Sequence, residues 1–182
     1  MATDKPEAAL FYPSATQRPL LAQSFPGLLA MKSVVVMHIT VGSSVEGAYQ
    51  TFKASKRIKE GGRGRTSAHF CIGRKGDVWQ FLPISDIGFH ASAVNEKSIG
   101  IEHVAIPAET VIGGKTYSQP VTEEQYISSA ALVKWLCEQM RVPCDRQHVR
   151  GHNEASPRDK HTACCSPTLD LERVVREANQ TI

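Results

Sequence analysis

A short apolar run near residue 35 constrains the fold more than any other feature of the sequence. Residues 33–39 read Ser-Val-Val-Val-Met-His-Ile, and such a β-branched, nearly all-apolar segment is typical of a strand covered on both faces of a sheet. The run carries His38 at its carboxyl end, the edge at which sheets of this kind tend to place their ligands. The sequence therefore predicts a core strand with a candidate site at its end.

Further segments alternate between strand and helix patterns. A short turn at Gly76 joins two strand-like runs and predicts a β-hairpin. Thr122, followed by acidic residues, is typical of a helix N-cap, and the apolar spacing carries that helix to Met140. In chain order we predict a helix over 45–58, strands over 67–73, 77–82 and 98–104, an irregular stretch over 107–120, a helix over 122–140, a strand over 147–151 and a helix over 168–178. Interleaved strands and helices with one hairpin predict the α/β class, with a mixed central β-sheet flanked by helices.

The chain is long enough, at 182 residues, for one domain with a substantial core. Residues 1–32 hold four of the ten prolines and no sustained periodicity. We therefore expect residues 1–32 to form a Pro-rich N-terminal arm packed on a domain that comprises residues 33–182.

Charge and hydropathy exclude several classes of partner. Lys and Arg number 21 against 18 Asp and Glu, a net charge of +3, which lacks the basic excess of a nucleic-acid binder. Apolar stretches such as 33–39 are far shorter than the roughly 20 residues of a membrane-spanning helix. Residues 1–7 carry acidic residues and Pro where a secretory signal has a basic start. We expect no nucleic-acid partner, no membrane span and no export by a signal peptide.

The chain has five cysteines, an odd number, so at least one thiol is free or bound to metal. Their spacing does not resemble the framework of a small disulfide-stapled domain. Cys137 and Cys144 would pair if a helix ended between them at residues 141–143. In a chain without a signal peptide, however, buried free thiols are favoured.

Two further residues suit a metal site together with His38. His152 follows the strand predicted over 147–151, and Cys164 comes 12 residues later in a Pro-containing loop. Imidazole and thiolate are both good zinc ligands, and three protein ligands plus water form the usual catalytic arrangement. His148 and His152 have the spacing of a zinc-protease helix, but the glutamate that follows the first histidine in such a helix is absent. The sequence also has neither the Gly-x-Ser-x-Gly motif of serine hydrolases nor the P-loop motif of nucleotide-binding proteins.

Five segments carry a family resemblance. They are VMHIT (36–40), SAHFCIGRKG (67–76), GFHAS (88–92), KSIGIE (97–102) and GHNEASP (151–157), in this order. Together they resemble the zinc-dependent N-acetylmuramoyl-L-alanine amidases, a family that includes phage lysozyme-type amidases, bacterial anhydro-muropeptide amidases and peptidoglycan recognition proteins. The resemblance covers about residues 33–172 and implies an amidase-like mixed sheet flanked by helices.

The resemblance also implies a zinc ion held by His38, His152 and a third residue near position 164. An alignment without gaps places Cys164 on the third ligand, while Cys165 stands where the family usually has Pro. Cys165 remains the alternative third ligand.

Catalytic and substrate-binding roles follow from the same resemblance. Glu102 aligns with a glutamate of the bacterial members and is expected to act as general base, and Thr162 is a candidate hydrogen-bond donor to the oxyanion. Candidate substrate contacts are His90, His69 and Arg65, the last through the anionic stem peptide.

The implied activity is zinc-dependent hydrolysis of the amide bond between N-acetylmuramic acid and L-alanine in peptidoglycan or its muropeptide fragments. Two alternatives are a non-catalytic peptidoglycan-binding module and a cysteine peptidase that cleaves the stem peptides. Without a signal peptide, the site of action is the cytoplasm for a recycling enzyme, or the periplasm or cell wall for a lysin or a secreted effector. An effector would have an immunity protein as a further partner.

Overall fold

The computed structural model describes residues 10–55, 65–160 and 164–180. The strands are β1 (Thr16–Gln17), β2 (Val34–Ile39), β3 (Phe70–Ile72), β4 (Val78–Gln80), β5 (Ser98–His103), β6 (Ile106–Ile112), β7 (Lys115–Gln119) and β8 (Val149–Gly151). The α-helices are α1 (Val45–Ala54), α2 (Glu123–Met140), α3 (His152–Ala155) and α4 (Leu171–Gln180). No helix in these described ranges is long and apolar enough to cross a membrane.

Six strands form one mixed sheet in the order β1-β4-β3-β5-β2-β8. Every neighbouring pair is parallel except β3 and β4, which form the predicted hairpin. The apolar run of β2 lies between β5 and β8, and Val35, Val36 and Met37 are fully buried. The prediction of a mixed sheet flanked by helices is confirmed.

The two faces of the sheet differ in what covers them. On one face Met37, Ile99 and Ile101 join a large apolar core with side chains of α2 and α4. On the other face Val104 packs in a smaller core that includes Phe52 of α1. Because side chains alternate along a strand, His38 and Glu102 lie on this second face, opposite Met37 and Ile101.

The predicted N-cap of α2 at Thr122 is confirmed and forms a full capping box. Thr122 Oγ1 accepts from the Gln125 backbone N–H at 3.2 Å, and Gln125 Oε1 accepts from the Thr122 N–H at 3.0 Å. The Gln125 amide also donates to the carbonyls of Ile72 and Val104, at 3.0 and 3.1 Å. This fully buried side chain ties the start of α2 to the carboxyl ends of β3 and β5.

The prediction of an irregular stretch over 107–120 is wrong, because β6 and β7 pair there as an antiparallel hairpin. Its turn is Gly113-Gly114, with φ of 57° and 78°, values that glycine adopts without steric cost. A Gly-Gly pair between β-branched runs is a hairpin signal, so the sequence contained the information.

Other boundaries shift by a few residues. The first helix ends at Ala54 rather than at 58, and the last begins at Leu171 rather than at 168. Within the arm, β1 adds a parallel strand beside β4, and Leu20 is buried. The division of the chain at residue 32 remains a prediction.

We expect Gln125→Met to lower the free energy of unfolding by about 2 kcal/mol or more, because it leaves two buried carbonyls and the Thr122 N–H without partners. Urea unfolding measures the change. Gln147→Met is the matched control, at an exposed position, and should stay within about 0.5 kcal/mol of the parent. Equal losses in both variants would contradict the role given to Gln125.

Candidate metal centre and active site

The candidate ligands come together at the edge of the sheet where β2 and β8 end. His38 is the fifth residue of β2, and His152 begins α3 directly after β8. Cys164 lies beside α3, because the Asn153 N–H donates to the Cys164 carbonyl at 2.9 Å. Since β2 and β8 are parallel neighbours, their carboxyl ends deliver both histidines to one place.

The ligand atoms of His38, His152 and Cys164 all lie within 4.8 Å of one another. Cys164 Sγ is 3.9 Å from His38 Nδ1, and the two imidazole centroids are 4.8 Å apart. Both imidazoles are buried, while Cys164 is part-exposed. Two imidazole nitrogens and one sulfur at such separations form a group that could bind a metal ion.

Cys165 points away from this cluster. Its side chain is fully buried in the large apolar core beside β8, and a Cβ added at Gly151 would lie 3.3 Å from Cys165 Sγ. Of the two candidate third ligands, the structure places Cys164 with the two histidines.

A chain of hydrogen bonds through His90 and Ser98 determines which nitrogen of His38 carries the proton. Ser98 Oγ donates to the Val94 carbonyl at 2.7 Å, so it accepts from His90 Nε2, 3.3 Å away. His90 Nδ1 then carries a lone pair, and it accepts from His38 Nε2 at 3.1 Å. With its proton on Nε2, His38 has its Nδ1 lone pair directed toward Cys164.

Asp159 has the corresponding role for His152. Its Oδ2 is 3.0 Å from His152 Nε2 and also accepts from the Ser92 N–H at 3.0 Å. Burial opposes ionisation of this carboxyl, but hydrogen bonds from His152, Ser92 and Ser156 outweigh it and lower the pKa to about 2. Metal-binding histidines are commonly oriented by a carboxylate in this way. Asp159 was not among the predicted site residues, although a carboxylate seven residues after the candidate ligand His152 was a signal in the sequence.

The donor set suits a divalent cation. Burial, and then the negative charge of Glu102, raise the pKa of Cys164 to about 12. A thiolate at this position therefore requires a positive charge nearby, and a metal ion supplies one.

Glu102 lies beside the cluster on the next strand. It pairs with His38 in the parallel register of β2 and β5, and the side chains of such partners leave the same face. Burial raises the pKa of Glu102 to about 8. Its Oε2 is buried and finds no hydrogen-bond partner among the described residues. This oxygen is therefore available to a reacting group.

A cavity of about 310 Å³ opens beside Glu102. Its walls are the turn that follows β2, from Thr40 to Ser44, and the first turns of α1. Glu102 forms part of the lining of this cavity.

The predicted substrate contacts fall in different surroundings. His69 is fully buried, accepts from the Gly100 N–H at 3.0 Å and bonds the Asp86 carbonyl at 3.0 Å. Burial lowers the pKa of His69 to about 3, so it is a neutral part of the scaffold. This placement argues against the predicted substrate contact.

His90 is also buried, with both ring nitrogens occupied by His38 and Ser98. It lies against Gly100, where an added Cβ would come within 2.7 Å of the imidazole. This position supports orientation of His38 rather than contact with a substrate.

Arg65 is part-exposed, with its guanidinium 5.7 Å from the centroid of the Phe25 ring. Thr162, the candidate oxyanion donor, lies outside the described residues, and its role stays a prediction.

Comparison with known proteins identifies the relatives of this arrangement. The model of the N-acetylmuramoyl-L-alanine amidase family matches residues 30–167. A comparison with curated protein sequences found no significant match.

Solved structures with the same fold include several amidases. A selenomethionine derivative of AmpD is 21% identical, covers 93% of this chain and 97% of its own, and has a TM-score of 0.69. The endolysin LysCS from Clostridium intestinale is 19% identical, with 93% and 98% covered and a TM-score of 0.64. AmiD from E. coli, in complex with an anhydro-N-acetylmuramic acid peptide, is 19% identical, with 88% and 60% covered and a TM-score of 0.62.

We expect Cys164→Ala to weaken Zn²⁺ binding by more than about 100-fold, since loss of a ligand should exceed the effect of losing an outer partner. Competition with a chromophoric chelator measures the affinity. Cys165→Ala is the matched control and should retain it, because that sulfur lies in the apolar core. The reverse order of the two affinities would assign the third ligand to Cys165.

We expect Asp159→Asn to weaken Zn²⁺ binding by about 10-fold, because it removes the negative charge that faces His152 Nε2. The same competition titration applies. Asp77→Asn, which removes a carboxylate bonded to the Trp79 indole in the β3–β4 hairpin, should leave the affinity unchanged. An unaltered affinity in Asp159→Asn would show that the carboxylate does not support the metal site.

Proposed function

Because the chain belongs to the N-acetylmuramoyl-L-alanine amidase family, we propose that it hydrolyses the bond between N-acetylmuramic acid and L-alanine with Zn²⁺ held by His38, His152 and Cys164. Glu102 is the general base in this proposal. The substrate is peptidoglycan or its muropeptide fragments. One observation carries the proposal: two imidazoles and a thiol lie within 4.8 Å of one another, next to an unpartnered carboxylate oxygen on the neighbouring strand.

Zn²⁺ at this position supplies a Lewis acid for the scissile carbonyl and makes a water molecule more acidic. The chain's own contribution begins with orientation. His90 fixes the proton of His38 on Nε2, and Asp159 does the same for His152. Both rings therefore present Nδ1 to the metal site without rearrangement when the ion binds.

Glu102 handles the proton that hydrolysis must move. A cation held by the neighbouring ligands would favour the ionised form of Glu102 against the effect of burial. As the water oxygen bonds to the carbonyl carbon, a carboxylate oxygen of Glu102 accepts one proton from that water. When the bond from carbon to nitrogen breaks, the same oxygen returns the proton to the departing amine of L-alanine. The products are a carboxylic acid and an amine, and Glu102 ends in its starting state. The buried, unpartnered Oε2 supports this assignment.

The two alternative functions have less support. A pure binding module does not need a cluster of metal-ligand residues in which the second nitrogen of each imidazole is hydrogen-bonded. A cysteine peptidase needs an activated thiolate, whereas burial raises the pKa of both Cys164 and Cys165.

We expect Glu102→Gln to lower kcat on muropeptides by about 10²–10⁴-fold, the usual contribution of a general base, with unchanged Zn²⁺ content. Product release followed by mass spectrometry and metal analysis of the same sample measure both quantities. Glu109→Gln changes an exposed carboxylate on β6 and should retain full activity.

Three other outcomes would contradict parts of the proposed function. Unchanged turnover in Glu102→Gln would remove Glu102 from the mechanism. Cleavage by the parent protein that persists after complete removal of zinc would refute the metal-dependent mechanism. Zinc binding with no cleavage of any muropeptide would favour the binding module.

A further inference from the structure

The last turn of α2 holds a pair of thiols that the amidase chemistry does not use. Cys137 lies in this turn and is buried, while Cys144 follows the helix and is part-exposed. Both line the same cavity of about 290 Å³ between the ends of α2 and α4, and each thiol affects the pKa of the other. The pair therefore combines proximity with access from outside the core.

The backbone at the end of α2 holds the two thiols in place. Arg141 adopts the left-handed conformation, with φ of 58°, and its N–H donates to the Glu138 carbonyl at 3.2 Å. The Val142 N–H then reaches back to the Cys137 carbonyl at 3.0 Å. These two bonds are those of a Schellman motif, which reverses the chain at a helix end. The reversal carries Cys144 back toward Cys137.

Helix α4 fixes the second cysteine from the other side. The Asn179 side chain donates to the Cys144 carbonyl at 2.9 Å and to the Val175 carbonyl at 3.0 Å. Both cysteines are thus attached to helices that pack together in the large core. Thiols held in this way meet without further loss of chain entropy.

The two thiols differ in acidity. Cys144 is the more exposed thiol of the pair and lines the cavity from outside the core, whereas Cys137 is buried. Interaction with Cys137 also lowers the pKa of Cys144, while the same interaction and burial raise the pKa of Cys137. Exposure and acidity together make Cys144 the thiol that attacks first, since the thiolate is the reactive form.

We propose that Cys137 and Cys144 form an oxidisable site, which a disulfide oxidant converts into an intrachain disulfide. Cys144 attacks one sulfur of the oxidant, forms a mixed disulfide and releases the oxidant's first thiol. Cys137 then loses its proton and attacks Cys144 Sγ, which releases the second thiol. The protein loses two hydrogens and the oxidant gains two, so the exchange balances.

The site lies away from the metal centre. Gln125 fixes the start of α2 at the carboxyl edge of the sheet, and Cys137 follows 12 residues later, about 18 Å along the helix axis. We therefore expect oxidation to stabilise the fold without altering hydrolysis. An oxidising compartment such as the periplasm is reached where the proposed function acts on intact peptidoglycan, and this part of the argument rests on that function. Cys137 and Cys144 are separate from the residues proposed for hydrolysis, which are His38, His152, Cys164 and Glu102.

Equilibration of the zinc-loaded full chain with graded ratios of reduced and oxidised glutathione tests the proposal. After quenching, alkylation and digestion with trypsin, cleavage follows Lys134, Arg141 and Arg146. Oxidised protein should yield a disulfide that joins fragments 135–141 and 142–146, while Cys71 stays reduced in the folded protein. The midpoint of thermal unfolding should rise by about 5 °C, because the disulfide closes a loop in the unfolded chain.

Cys144→Ser is the control variant. It should retain amidase activity and show no rise of its unfolding midpoint when oxidised glutathione is added. A stable mixed disulfide of glutathione at Cys144 in the parent, without the joined fragments, would overturn the proposal. Joined fragments that form only in denaturant would overturn it as well.

Discussion

The parallel pairing of β2 with β5 is the constraint on which the site depends. It aligns His38 with Glu102, and because partners in a parallel register share a face, the candidate metal ligand and the carboxylate leave the sheet side by side. A slip of one residue would turn either side chain into the apolar core on the other face. The fully buried Val35–Met37 segment makes such a slip costly, so the core that stabilises the sheet also fixes the geometry of the site.

The interior around this pair contains histidines whose burial is matched by hydrogen bonds. Burial lowers the pKa of His69 to about 3 and that of His103 to about 4. Both imidazoles are therefore neutral at physiological pH, and each has two bonded ring nitrogens. His103 bonds to the His38 carbonyl at 3.2 Å and to Ser129 of α2 at 3.0 Å. The strand that carries the ligand is thus held by polar contacts on its backbone as well as by apolar packing.

The sequence indicated those elements whose signals are local. The apolar run of β2, the hairpin turn at Gly76 and the N-cap at Thr122 are short-range patterns, and the structure contains all three. The β6–β7 hairpin was missed because its exposed strands lack an apolar face, although Gly113-Gly114 marked the turn.

The contacts around the ligands were harder to predict because they join segments far apart in the chain. Asp159 meets Ser92 across 67 residues, and His90 meets His38 across 52. Composition and periodicity give no sign of either contact. The family resemblance implied His90 and His69 as substrate contacts, and the structure buries both imidazoles and pairs them with neighbouring groups.

Helix α2 runs between the candidate metal centre and the Cys137–Cys144 pair. Its first turn, through Gln125, bonds to the carbonyls just beyond the edge where Glu102 emerges, and its last turn holds Cys137 against Cys144. Between these ends, apolar side chains of α2 pack in the core shared with α4. The two ends of the helix are therefore connected by apolar contacts. A disulfide between Cys137 and Cys144 would therefore oppose separation of α2 from α4 during unfolding. It would leave the candidate metal ligands in place.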